Sequence, residues 1–299
     1  MFPEELGIKF KDYVNSIKTE SYTLTDKKTI IPELNKILED AVSKRTEDKF
    51  AIAFSGGLDS SVIAIICSNL KKKFLLISAG LQKSDDLASA QKIAMHYKWP
   101  LKIRLITLQE AETIVENVVG ILKTNDVVKI GVGCVVYSVL EMAKQNNIKV
   151  VLGGLGSEEI FCGYKRHQKF HIKGPESVHS ECWHGLSNLY AQDLERDAKI
   201  AEHFNIKILA PFLDDGLIKF AMKIDPKLKI AKDDKKIILK EAAVSLGLKE
   251  EFAFRKKKAA QYGSYFDKAI EKLAKLNGFK YKKDYLNSIL NANIKHSQL

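Results

Sequence analysis

The sequence predicts an α/β protein with a doubly wound, mainly parallel sheet and a mostly helical C-terminal part. Short apolar runs alternate with helical patterns over the first half, glycine or serine follows three of those runs, and strand signals thin out after about residue 185. Ile31, Leu34, Ile37, Leu38, Ala41 and Val42 recur at helical spacing, so 30–44 reads as an amphipathic lead-in helix. Residues 1–28 show no strong period. Lys49–Phe54 is a short apolar run stopping at Ser55-Gly56-Gly57, the pattern of a buried parallel strand entering a tight loop. A helix over 60–70 follows, then a strand over 74–78, a helix over 85–97 and a strand over 101–106. Helices near 109–122 and 134–146 lead to a fourth strand, Val150–Leu152, which ends in Gly153-Gly154-Leu155-Gly156. Residues 165–185 read as a polar loop. In such sheets ligands sit beyond the carboxyl ends of the strands, so 55–57, 78–80 and 153–156 are expected to border one crevice. The division expected is a lead-in over 1–48, an α/β core over 49–185 and a helical part over 186–299.

The bulk composition narrows the function class. The 299 residues are 45% hydrophobic and 28% charged, a folded rather than disordered composition. Net charge is +11, with eleven Lys or Arg against five Asp or Glu between Lys227 and Lys258. That suits a polyanion, either ATP with its pyrophosphate or RNA, and equally a lysine-rich solvated surface. Cys67, Cys134, Cys162 and Cys182 have no C-x-x-C spacing, which argues for buried free thiols in a reducing compartment. With no apolar leader at Met1-Phe2-Pro3 and no long apolar run, a cytoplasmic protein is expected.

The chemistry concentrates in Ser55-Gly56-Gly57-Leu58-Asp59-Ser60-Ser61. Paired glycines let the backbone aim several N–H groups at one point, the following helix adds its positive end, and Ser55, Ser60 and Ser61 add hydroxyls. Asp59 would repel a phosphate unless it holds Mg²⁺ that bridges to the phosphates. There is no G-x-x-x-x-G-K-[ST]. The motif resembles the PP-loop of N-type ATP pyrophosphatases, which cleave ATP between the α and β phosphates. The bland reading is a Gly-Ser turn with a capping aspartate.

Val150–Tyr164, V-V-L-G-G-L-G-S-E-E-I-F-C-G-Y, resembles the second signature of the asparagine synthetase family. So do Asp193–Lys199, Ala210-Pro211-Phe212-Leu213-Asp214, Lys236–Ala242 and Arg255-Lys256-Lys257, in the family's order over about 30–265. The resemblance implies an adenine nucleotide alpha hydrolase-like fold with ATP and Mg²⁺ as cofactors. Asp59 and Glu158 would hold the metal. Ser55, Gly56, Gly57, Ser60, Ser61, Ser78, Gly153, Gly154, Lys236 and Lys257 would line the nucleotide site, and Lys257 would neutralise charge in the transition state. Asp59, Glu158 and Lys257 are the catalytic candidates. Asp197 and Asp214 read equally as ion-pair or cap residues.

The pattern departs at two places. Position 2 is Phe2, and little chain precedes the loop, so no glutaminase nucleophile is expected here. Nitrogen would come from free ammonia, an amine or a separate glutaminase subunit; a homodimer is left open. Leu155 stands where the family has a glutamate, and leucine accepts no proton. The expected activity is AMP-forming amide ligation through an adenylated carboxylate such as aspartate. The alternatives are a tRNA-modifying PP-loop enzyme or a degenerate nucleotide-binding homologue. His167, His171, His179, Cys182 and His184, with Lys165, Arg166, Lys169, Phe170, Lys173 and Trp183, read as a basic lid, a metal cluster or an RNA contact.

Overall fold

The computed structural model describes residues 3–19, 21–255 and 258–296. Its elements run α1 (Pro3–Ile17), α2 (Lys27–Ser43), β1 (Phe50–Ala53), α3 (Leu58–Asn69), β2 (Phe74–Leu81), α4 (Asp85–Tyr97), β3 (Leu101–Ile106), α5 (Leu108–Leu122), α6 (Val127–Gln145) and β4 (Val150–Leu152). Then come α7 (Ser157–Ile160), α8 (Lys165–His171), α9 (Pro175–Leu189), a π turn (Tyr190–Leu194), α10 (Glu195–Phe204), β5 (Lys207–Leu209), a 3-10 turn (Pro211–Leu213), α11 (Asp215–Lys223), α12 (Pro226–Lys229) and α13 (Ile237–Ser245). Short helices α14 (Glu250–Ala253) and α15 (Ala260–Gly263) precede α16 (Phe266–Leu276) and α17 (Lys282–His296).

The strands form one parallel sheet in the order β3-β2-β1-β4-β5. The chain winds outward from β1 to β2 and β3, then returns to place β4 on the other side of β1. The switch point therefore lies between β1 and β4, where Ala51 pairs with Val151 and Ile52 with Leu152. The loops leaving these two strands share one edge of the sheet, the position at which doubly wound folds hold ligands. Side chains alternate as pleating requires. Phe50, Ile52, Val150 and Leu152 enter one core, with α2, α3, α9 and α13. Ala51 and Val151 enter the other, with α5, α6 and α16.

Four local expectations need correction. Residues 3–17 form α1, because Phe10, Tyr13, Val14 and Ile17 make a narrow apolar stripe among charges. β2 continues through Leu81, so Ser78 lies inside the strand rather than at its end. β5 was not foreseen in the helical part; three residues are too few to show a period. Residues 165–189 are two helices, not a loop, broken at Gly174-Pro175 with Pro175 opening α9.

Candidate active site

β1 hands over to its loop while still bonded to the sheet: Phe54 N donates to Ile77 O at 2.8 Å. Gly56 then turns with φ +63°, and a methyl group there would lie 2.8 Å from the carbonyl carbon of Ser89 and 2.9 Å from Ala90 N. Glycine is needed twice, for the left-handed turn and for contact with α4. Gly57 caps α3 without any side-chain hydrogen bond, which leaves the positive end of the helix without a side-chain cap. Ser60 Oγ turns back to Gly57 O at 3.2 Å, whereas the buried Ser61 hydroxyl has no partner. Ser55 Oγ accepts from Gly57 N at 3.4 Å. Arg255 Nη2 donates to Gly56 O at 2.9 Å, tying the segment after α14 to the loop.

The β4 loop arrives from the neighbouring strand. Gly153 N donates to Leu209 O at 2.9 Å and extends the ladder to β5. Gly154 is pressed against the first loop: a Cβ there would be 2.9 Å from Asp59 Cβ. Gly156, at φ +95°, opens α7, and Ser157 Oγ donates to Asp59 Oδ1 at 2.5 Å. Lys236 enters from the start of α13 in the left-handed region, φ +55°, a conformation that costs a non-glycine residue on the order of 1 kcal/mol. Its Nζ donates to Asp59 Oδ1 at 2.7 Å, Asp59 Oδ2 at 2.8 Å and Ser157 Oγ at 2.9 Å, and lies 2.7 Å from Glu158 Oε1. Lys236 is only 7% exposed. Burial by itself lowers the pKa of an ammonium; Asp59 and Glu158 outweigh that and hold Lys236 above its usual value, so it stays charged.

Thus Asp59, Glu158 and Lys236, far apart in sequence, meet at one point. Gly163 makes the room: a methyl group there would sit 1.9 Å from Glu158 Oε2 and 2.3 Å from Lys236 Cε. Lys235 Nζ donates to Gly163 O behind it. Ser78 is buried within β2, one residue beyond the Ala53–Ile77 pair and so level with Phe54, below the glycine turn. Lys257 lies outside the described residues. Ser157, which bridges Asp59 and Lys236, and Arg255, which ties down the loop, were given no site role from sequence. The glycine at 156, directly before Ser157, was the available signal.

Other candidates are structural. Asp197 shares Arg196 with Asp193 in a buried ion cluster, at 2.7 and 2.6 Å. Asp214 caps α11 through Gly216 N and Leu217 N and pairs with Arg45 at 2.9 Å. Glu159 points away beneath α9, where Tyr164 OH donates to it at 2.8 Å and burial pushes its carboxyl up to about 7. The segment expected as a basic lid, a metal cluster or an RNA contact keeps Lys165, Lys169 and Lys173 exposed but turns part of itself inward. His167, Cys182 and Trp183 are 0–1% exposed, and Trp183 Nε1 donates to Thr19 O at 3.0 Å. Among the described residues, no group of three or more His, Cys, Asp or Glu is arranged to hold a metal ion.

A glycine turn at the switch point of a parallel sheet, opening an uncapped helix, defines an α/β fold of the PP-loop type. The family model described as asparagine synthase matches residues 33–177 and 170–278, and the chain belongs to that family. A Methanocaldococcus jannaschii protein assigned as a glutamine-hydrolysing asparagine synthetase is 33% identical over 285 residues, 84% of this chain and 52% of that protein. The glutamine-hydrolysing asparagine synthetase of Sandersonia aurantiaca is 31% identical over 218 residues, 67% of this chain and 40% of its own. The chain thus spans about half or less of the length of these curated relatives. Among solved structures, an NMN synthetase from Francisella tularensis aligns over 89% of this chain and 94% of its own, with 13% identity and a TM-score of 0.44.

Proposed function

We propose that this chain is an ATP-dependent amide ligase that releases AMP and pyrophosphate. The observation that carries the reading is the meeting of Asp59 and Glu158, from two separate glycine turns, on one buried cation. Two carboxylates converging on a single positive charge fit magnesium, which takes one or two protein carboxylates and completes its shell with phosphate oxygens and water. Asp59 and Glu158 would hold that ion, which when bound neutralises charge on the departing pyrophosphate.

The chain's own groups do the rest. The α3 amides and the unpartnered Ser61 hydroxyl bind the phosphates. Arg255 fixes the loop that carries these amides. A substrate carboxylate oxygen attacks the α-phosphorus, the bond to the bridging oxygen breaks, and pyrophosphate leaves toward Lys236, with Lys257 the proposed further cation from its motif. Ammonia or an amine then attacks the acyl carbon, AMP departs, and the nitrogen loses a proton. Leu155 takes no part in that proton transfer. Aspartate or a similar acid is the carboxylate proposed, in the cytoplasm, with nitrogen supplied as free ammonia or by a separate glutaminase subunit. No helix among the described residues is long and apolar enough to cross a membrane. The basic, aromatic segment that suited RNA turns its only tryptophan inward, so amide ligation is the better-supported reading.

The test is a pyrophosphate-release screen of amino acids with ammonia present, repeated with Lys257→Ala. Release dependent on one carboxylate, lost in the variant while ATP still binds, is expected. Production of ADP instead of AMP ends the proposal.

A further inference from the structure

The cation between Asp59 and Glu158 is supplied by the protein itself. An ammonium has three N–H donors, and Lys236 Nζ has four oxygens within 2.7–2.9 Å: both of Asp59, one of Glu158 and the hydroxyl of Ser157. None of its donors is left over for a phosphate. The Ser157 hydroxyl is spent on the same carboxylate. Glycines at 154 and 163 let the surrounding backbone close on the cluster. Magnesium binds oxygens at about 2.0–2.1 Å and gives up its water reluctantly. A metal seated between the two carboxylates, at the point where their oxygens now converge, would replace Nζ.

We infer that Lys236 is an internal counter-ion that closes the carboxylate pair to free divalent metal, so that metal enters only with a nucleotide whose phosphates take over the ammonium. The inference rests on the nucleotide-binding reading of this site. Free metal would have to expel a buried ammonium with no anion to receive it. A bound triphosphate offers oxygens both to the metal and to Nζ, so every charge keeps a partner through the exchange. Only the tip of the lysine needs to move, because its backbone is set at the start of α13. The same contact keeps two like charges from facing each other in the nucleotide-free protein.

The experiment uses Mn²⁺ as the probe, its free concentration followed by electron paramagnetic resonance, with and without a non-hydrolysable ATP analogue. The wild-type protein is expected to bind Mn²⁺ only with the analogue present. Lys236→Met is expected to bind Mn²⁺ alone, about tenfold or more tighter than the wild type, and to gain thermal stability from the metal. Lys236→Arg keeps a cation in place and is expected to exclude Mn²⁺ as the wild type does. Wild-type protein that binds the analogue, yet binds Mn²⁺ equally well without it, overturns the inference by itself, whether or not Lys236→Met folds. Wild-type protein that binds no analogue under any condition overturns the underlying reading, and the inference with it.

Discussion

A methyl group at Gly163 would fall on the ends of two flexible side chains, Glu158 Oε2 and Lys236 Cε, whereas one at Gly56 would fall on the backbone of Ser89 and Ala90. The two glycines therefore predict opposite phenotypes. Gly163→Ala is expected to leave the unfolding midpoint nearly unchanged while displacing Glu158, lowering pyrophosphate release on the order of 100-fold. Gly56→Ala combines a left-handed turn with a rigid clash and is expected to lose about 2 kcal/mol or more in urea unfolding. A catalytic defect in Gly56→Ala with wild-type stability, or a destabilised Gly163→Ala with full rate, would contradict these contacts. At this scale the sequence was legible where a motif dictates chemistry, as at Asp59. It was silent where the role depends on a neighbour, as with Ser157, whose hydroxyl matters only because Gly154 lets Asp59 come close.

The elements that hold the site depend on their first turns. Asp214 is both the N-cap of α11 and the partner of Arg45, so Asp214→Ala is expected to cost about 1–2 kcal/mol without touching the nucleotide site. Urea unfolding measures the loss, and unchanged ATP binding separates it from a substrate role. α5 starts with a reciprocal capping box in which Glu110 accepts from Thr107 N at 2.8 Å and pairs with Arg104 at 2.7 Å. The Thr107 amide, Arg104 and the Thr107 hydroxyl pull the Glu110 carboxyl from 4.5 to about 2. The folded state thus binds this proton more weakly than the unfolded chain. The contribution is present in full above about 4.5 and is lost as pH falls toward about 2. Glu110→Gln is expected to flatten that part of the acid limb in pH-dependent unfolding; an unchanged acid limb would count against the box. Element types were readable wherever a helix or strand was long enough to show its period. α1 was missed because charges diluted its stripe. α8 and α9 were missed because their polar residues His167 and His179 are folded inward, against what polarity suggests.

For the whole molecule, the winding order decides everything else. Because the chain returns to place β4 beside β1, two turns far apart in sequence open onto one edge, and α13 closes the gap between them with Lys236. Alternating apolar runs predict the doubly wound sheet and the crevice at its strand ends, whereas the strand order itself comes from the structure. The fifth strand was not foretold, because three residues at the sheet edge carry no periodic signal. Nor could the sequence tell that Lys236, expected at a phosphate, would instead sit between the two carboxylates; that follows only from packing. In the proposed mechanism Asp59 and Glu158 act on one triphosphate. Equilibrium binding of MgATP to the wild type, Asp59→Asn, Glu158→Gln and the double variant tests it directly. A coupling of about 1 kcal/mol or more between the two substitutions is expected. Losses that add to within about 0.3 kcal/mol, or two single variants that bind as the wild type does, would contradict it.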